Sequence, residues 1–202
     1  MNDKALCIYH RGCMDGFSSA YVVGLFLGFD KVEFLQLDYD DPVPDITDRN
    51  VYIVDFSFKP KELLPVLDTA ASVVMIDHHK KALQHWENFS VPEGDTIINK
   101  KLMLVKDLTM SGVGLTWQFF YGTQKMPRIL AACQDYDLWK FKLAHSREIV
   151  TALYGKGMIL TDDFEREPGA VLERAAVLVG AVVDLPRQEL RDDEPVGTVD
   201  LD

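Results

Sequence analysis

The sequence predicts an α/β fold: a parallel sheet flanked by helices, with a short helical extension on its C-terminal side. Three observations carry that prediction. Short apolar runs recur, of which Val73-Val74-Met75-Ile76 has no polar break, as in a strand buried on both faces of a parallel sheet. Three of these runs stop abruptly at acids or imidazoles: His10 after the first, Asp55 after the third, and Asp77-His78-His79 after the fourth. Between the runs lie stretches suited to helices, giving a β-α-β rhythm. The carboxyl edge of such a sheet is where open α/β folds bind ligands.

The elements follow in order. Ala5 to Tyr9 is the first predicted strand, ending at His10-Arg11-Gly12-Cys13-Met14-Asp15-Gly16. A helix is expected from Phe17 to Leu27, with Asp15 near its N-terminus, where a negative side chain is favoured. Val32 to Leu37 is the second strand, and Asp38 to Asn50 is a loop rich in Asp and Pro. Val51 to Val54 is the third, stopping at Asp55; Pro60 then suits the first turn of a helix over Lys61 to Leu67. After the Asp77-His78-His79-Lys80 strand end, a short helix is expected over Ala82 to Phe89, a turn over Pro92 to Asp95, and extended chain over Thr96 to Val105. Ser111 is a fair N-cap for a helix through Tyr121, and its glycines allow close backbone approach. Helices are expected over Met126 to Gln134, Arg147 to Tyr154 and Ala170 to Leu185, the last a possible interface, and an acidic tail over Arg187 to Asp202.

Composition bounds the function. The 202 residues suffice for one good core, with 48% hydrophobic and 26% charged residues. A formal net charge of -11 argues against a protein that coats long duplex nucleic acid, but leaves room for a small anionic substrate if metal ions supply positive charge. Cys7, Cys13 and Cys133 lack zinc-type spacing and fit reduced thiols in a cytoplasmic protein. No secretory signal is read at Met1-Asn2-Asp3-Lys4, and no apolar run approaches membrane-spanning length.

Acids and imidazoles at several strand ends suit divalent cations, since neutral imidazole and carboxylate ligate manganese, zinc and iron. A surface loop with two histidines is the bland reading of Asp77-His78-His79 alone. Four blocks together resemble the DHH phosphoesterase superfamily: His10-Arg-Gly-Cys-Met-Asp15-Gly-Phe, Val51-Tyr-Ile-Val-Asp55, Val74-Met-Ile-Asp77-His78-His79-Lys80 and Asp135-Tyr-Asp137-Leu-Trp139. The resemblance covers roughly residues 4 to 142. It divides the chain into a phosphoesterase domain over 1-142, a helical extension or start of a cap over 143-186, and the tail over 187-202.

That resemblance implies a Rossmann-like sheet and a site for two divalent ions, usually Mn2+, with Mg2+ possible. It implies a phosphohydrolase acting on phosphodiester or phosphomonoester bonds of small nucleotides or short oligonucleotides. In such sites two ions flank the attacking and leaving oxygens. Asp55 is expected to bridge the ions, with Asp15, His78 and Asp135 on one and His10 on the other. The choice between Asp135 and Asp137 stays open. His79 is expected to act on the substrate phosphate or leaving oxygen, and Asp77 to orient an imidazole. Arg11, Lys80, Ser111 and Gly112 are candidate substrate contacts, as is Arg128, and Tyr9 and Phe17 are candidate walls. His85 and His145 are expected at the surface, and Trp86, Trp117 and Trp139 in packing roles.

Two departures matter. Many family members carry Asp-x-Asp in the first block, whereas here Cys13 stands two residues before Asp15. No glycine-rich signature of a C-terminal cap follows residue 142. The alternative reading is therefore a catalytically degenerate nucleotide-binding or regulatory module. Oligomeric state is open, a homodimer being one option.

Overall fold

The computed structural model describes residues 4–87, 96–98 and 100–155. Its elements are β1 (Ala5–His10), α1 (Met14–Leu27), β2 (Val32–Leu37), β3 (Asn50–Val54), α2 (Pro60–Leu67), β4 (Ser72–Asp77), α3 (Lys80–Gln84), β5 (Thr96–Ile98), β6 (Leu102–Lys106), α4 (Gly112–Tyr121), α5 (Arg128–Asp137) and α6 (Ser146–Gly155). The expected helix over Ala170 to Leu185, the acidic tail and the turn over Pro92 to Asp95 lie outside the described residues.

Among the described residues the sheet has six strands in the order β2-β1-β3-β4-β6-β5. Five run parallel, and β5 pairs antiparallel with β6 at one edge. This is the Rossmann-like α/β arrangement expected. The extended stretch from Thr96 resolves into two strands of opposite sense.

Why the strands are apolar throughout follows from what covers them. Cys7 and Tyr9 of β1, Val54 of β3 and Val74 and Ile76 of β4 face one core, shared with Phe17 of α1, Val113 of α4, Leu130 of α5 and Ile149 of α6. Their neighbours Leu6, Ile8, Ile53, Val73 and Met75 face the other, under Leu63 and Leu67 of α2 and Trp86 after α3. With both pleat faces dry, every position pays to be apolar, and the two-residue alternation vanishes. Helix α1 is buried from Met14 to Ala20 without a break, so it too lacks a polar stripe.

The strand order reverses between β1 and β3. From β1 the chain goes through α1 to β2 on one side; it then returns to β3 on the other side of β1 and continues outward to β4. Such a switch point opens a crevice at the carboxyl ends of the two strands. Tyr9 pairs with Val54, and Val54 with Ile76, so His10, Asp55 and Asp77 follow in step along the sheet's rim. No helix among the described residues is long and apolar enough to cross a membrane.

Candidate metal centre

The crevice gathers side chains from five segments. His10 closes β1, and Asp15 sits in the first turn of α1. Asp55 follows β3 directly, its amide still donating to the Ile76 carbonyl at 2.9 Å. At that point the chain leaves the sheet with φ 54, a left-handed conformation uncommon for a residue with a Cβ, though aspartate tolerates it better than most. His78 and His79 follow β4, and Asp137 ends α5.

Asp55 lies at the centre. Its Oδ2 is 3.7 Å from His10 Nδ1, and its Oδ1 is 3.2 Å from His78 Nε2. The same His78 Nε2 also lies 3.6 Å from Asp15 Oδ2 and 3.6 Å from Asp137 Oδ2. Three overlapping donor sets result, each with ligand atoms within 4.8 Å of one another: His10-Cys13-Asp55, Asp55-His78-His79 and Asp15-His78-Asp137. Both oxygens of Asp55, His10 Nδ1 and His78 Nε2 are buried and form no hydrogen bond. Buried polar atoms are almost always bonded, and leaving them so is costly. Four such atoms converging on one space fit divalent cations.

The protonation pattern tells the same story. Burial works against ionised Asp55, but the imidazoles of His10, His78 and His79 overcome it and hold its carboxyl far below the usual range. Burial lowers His78, but Asp55, Asp15 and Asp137 outweigh it and push the imidazole up to about 9. Asp15 is driven upward by burial, then by the charges of Asp55 and Asp137. Asp137 is likewise raised, by burial first, although His78 opposes it. The crowded carboxylates thus favour positive charge among them, which a proton on His78 or a divalent cation can supply.

Asp77 and His79 form a separate unit. Asp77 Oδ1 lies 2.7 Å from His79 Nδ1 and accepts from the His78 and His79 amides at 2.8 and 3.1 Å. Ser57 Oγ donates to its other oxygen. Asp77 thus orients the His79 ring, and His79 is raised despite burial because Asp77 and Asp55 favour its charged form. Ser57 was missed in the sequence, though a small hydroxyl residue two positions beyond Asp55 was its available signal.

Several expected positions are placed differently. Asp135 does not join the cluster: its carboxylate accepts from the backbone amides of Lys142 and Leu143 at 2.9 and 3.1 Å. Helix α5 runs on through Asp137 rather than stopping at Gln134, and two residues of helix rotate a side chain by roughly 200°. The two acids therefore face apart, and Asp137 is the one beside His78.

Ser111 and Gly112 are also engaged within the chain. Ser111 Oγ, the Gly112 amide and the Val113 amide donate to the Asp15 carboxylate at 2.9, 2.5 and 3.0 Å. The donors at the N-terminus of α4 are thus taken up by the Asp15 carboxyl group. Gly112 must be glycine, because a Cβ there would stand 2.6 Å from Asp55 Cβ.

Arg11 pairs with Asp41 at 2.6 Å and donates to the Gln36 carbonyl at 3.3 Å, so it ties down the loop after β2. Lys80 is exposed at the start of α3, and Arg128 reaches the Ala144 carbonyl at 3.5 Å. Tyr9 and Phe17 are core residues, 1% exposed each. The wall near His10 is instead Tyr39 and Phe56, with ring centroids 5.3 and 6.3 Å away. His85 and His145 are exposed. Trp86 and Trp117 are buried as expected, whereas Trp139 is 70% exposed, edge-on to Phe141 at 4.8 Å.

No protein-family model matches the chain. It is 27% identical over 162 residues to an uncharacterized protein of Acanthamoeba polyphaga mimivirus, a match covering 73% of this chain and 36% of the viral protein. Among solved structures it resembles the crystal structure of an uncharacterized protein from Helicobacter pylori, with TM-score 0.59, 12% identity, and coverage of 88% of this chain and 56% of that one. The chain thus spans about a third of the viral relative's length, and the structural likeness speaks to the α/β fold alone.

Proposed function

We propose that this chain is a divalent-metal-dependent phosphoesterase of the DHH kind, hydrolysing phosphodiester or phosphomonoester bonds of small nucleotides or short oligonucleotides. The observation that carries the proposal is the Asp55 carboxylate, fully buried, unbonded at both oxygens, and set between His10 and His78. A buried carboxylate whose oxygens form no hydrogen bond, in a left-handed backbone, is costly twice over, and such costs cluster at functional sites.

Asp55 then serves both halves of the centre. Asp15, His78 and Asp137 complete one half, and His10 anchors the other. The oxygen-rich set suits Mn2+, with Mg2+ as a substitute. When bound, two such ions lower the pKa of water and offset phosphoryl charge. Asp77 fixes His79 through Nδ1, which leaves Nε2 to pass a proton to the departing oxygen. The α4 N-terminus positions Asp15 rather than the substrate.

A small panel tests the proposal: a nitrophenyl phosphodiester, dinucleotides, adenosine 3′,5′-bisphosphate and pyrophosphate, each with Mn2+ and with chelator. Manganese-dependent, chelator-sensitive release from at least one ester is the expected result. Nucleotide binding without turnover of any of them would instead favour the degenerate binding module.

A further inference from the structure

The two halves of the centre differ in chemistry. Asp15-His78-Asp137 offers two oxygens and one nitrogen, whereas His10-Cys13-Asp55 offers sulfur, nitrogen and oxygen. Cys13 is the N-cap residue of α1, with extended backbone at φ -101, and it stands two positions before Asp15. Cys7 and Cys133, by contrast, are sealed in the core. The ligand-seeking partner in the Cys13 half is Asp55, fully buried with both oxygens unbonded, joined by the unbonded Nδ1 of His10.

We propose that Cys13 is a metal ligand and that the two halves select different ions: a thiophilic ion of the zinc or ferrous class at His10-Cys13-Asp55, and a harder ion such as manganese at Asp15-His78-Asp137. This rests on the metal-centre reading above. Two arguments support it. Thiolate sulfur favours softer ions, and carboxylate oxygen favours hard ones. Charge also balances: a Cys13 thiolate with the carboxylates of Asp15, Asp55 and Asp137 supplies four negative charges, matching two divalent ions in a partly buried site. A neutral thiol would leave an uncompensated positive charge there before substrate arrives. On binding, the S–H proton passes to solvent as the sulfur–metal bond forms, and no redox change is involved.

Cobalt(II) titration of the full chain, followed by absorption, reads the site without any turnover. A near-ultraviolet thiolate-to-cobalt charge-transfer band is expected in the unaltered protein. Cys13→Ser should lose that band while still binding cobalt at the Asp15-His78-Asp137 half, with visible bands remaining. Cys13→Asp should bind cobalt without the band and lose at least about tenfold in its preference for zinc over manganese. Cobalt binding without the charge-transfer band in the unaltered protein overturns the assignment of Cys13 and leaves the metal centre standing. A band that persists in Cys13→Ser also overturns it. No cobalt binding at all brings down both this inference and the metal-centre reading. The unaltered protein's spectrum decides the matter even if one variant folds poorly.

Discussion

Asp55 combines burial, an unbonded carboxylate and a left-handed backbone in one residue. Asparagine keeps the shape and tolerates positive φ, so Asp55→Asn removes charge and little else. We expect it to keep the fold, as judged by circular dichroism, and to abolish manganese-dependent hydrolysis; full activity in that variant would end the bridging role. Asp137 and Asp135 separate the same way. Asp137→Asn should weaken Mn2+ binding with little change in melting temperature. Asp135→Ala should do the reverse, costing about 1–3 kcal/mol because two backbone amides lose a charged acceptor. Isothermal titration with Mn2+, paired with thermal melts, reads both. Burial alone would raise Asp135, but the Lys142 and Leu143 amides hold its carboxyl low, as a structural anchor requires.

Helix α4 shapes the candidate site through its backbone and through Gly112. Its first turn gives two backbone amides and the Ser111 hydroxyl to Asp15, and it brings Gly112 hard against Asp55. Gly112→Ala should displace Asp55, cost about 1–3 kcal/mol through overpacking, and abolish Mn2+ binding. Gly122 at the other end of the helix has φ 61 and open space around its Cβ position. Gly122→Ala should cost about 1–2 kcal/mol of backbone strain and leave Mn2+ binding intact. Equal metal affinity in the two variants would show that α4 does not position the centre. The loop after β2 is held more lightly: the Arg11–Asp41 pair is partly exposed, so it places Tyr39 near His10 with little energy to spare.

For the whole molecule, the proposed metal centre would link metal binding, protons and stability. His78 is raised from an unfolded value near 6.5 to about 9 by the carboxylates around it. The stability this contributes is therefore fully present below about pH 6.5 and is lost as pH rises through about 9. A metal needs the neutral imidazole, so affinity should climb across the same window, with proton release on binding. Titrations with Mn2+ at about pH 6.5 and about pH 8.5 test this, and pH-independent affinity would contradict it. Manganese at about 100 times its Kd should also stabilise the fold by about 2.7 kcal/mol, reversibly with chelator. The net charge of -11 makes a neutral, filled centre more valuable, since the chain already repels itself.

The strands were legible because both their faces are buried, so Leu6 to Tyr9 and Val73 to Ile76 had to be apolar at every step. His10, Asp55 and Asp77 were legible as strand ends because a polar residue stops such a run. Helix α4 was legible from the Ser111 cap, where the hydroxyl accepts from the Gly114 amide. What the chain alone left open was orientation. Asp135 and Asp137 look alike in one dimension and part only when α5 turns them to opposite sides. Tyr39 carries no local mark, and Ser57 only its place two residues beyond Asp55, since their partners His10 and Asp77 are distant in sequence. Local patterning thus determined which segments form strands and that acids and imidazoles stand at their ends. Which acid faces His78, and which carboxyl group the α4 N-terminus holds, was decided by tertiary packing, because those choices depend on helix rotation and on distances no spacing encodes.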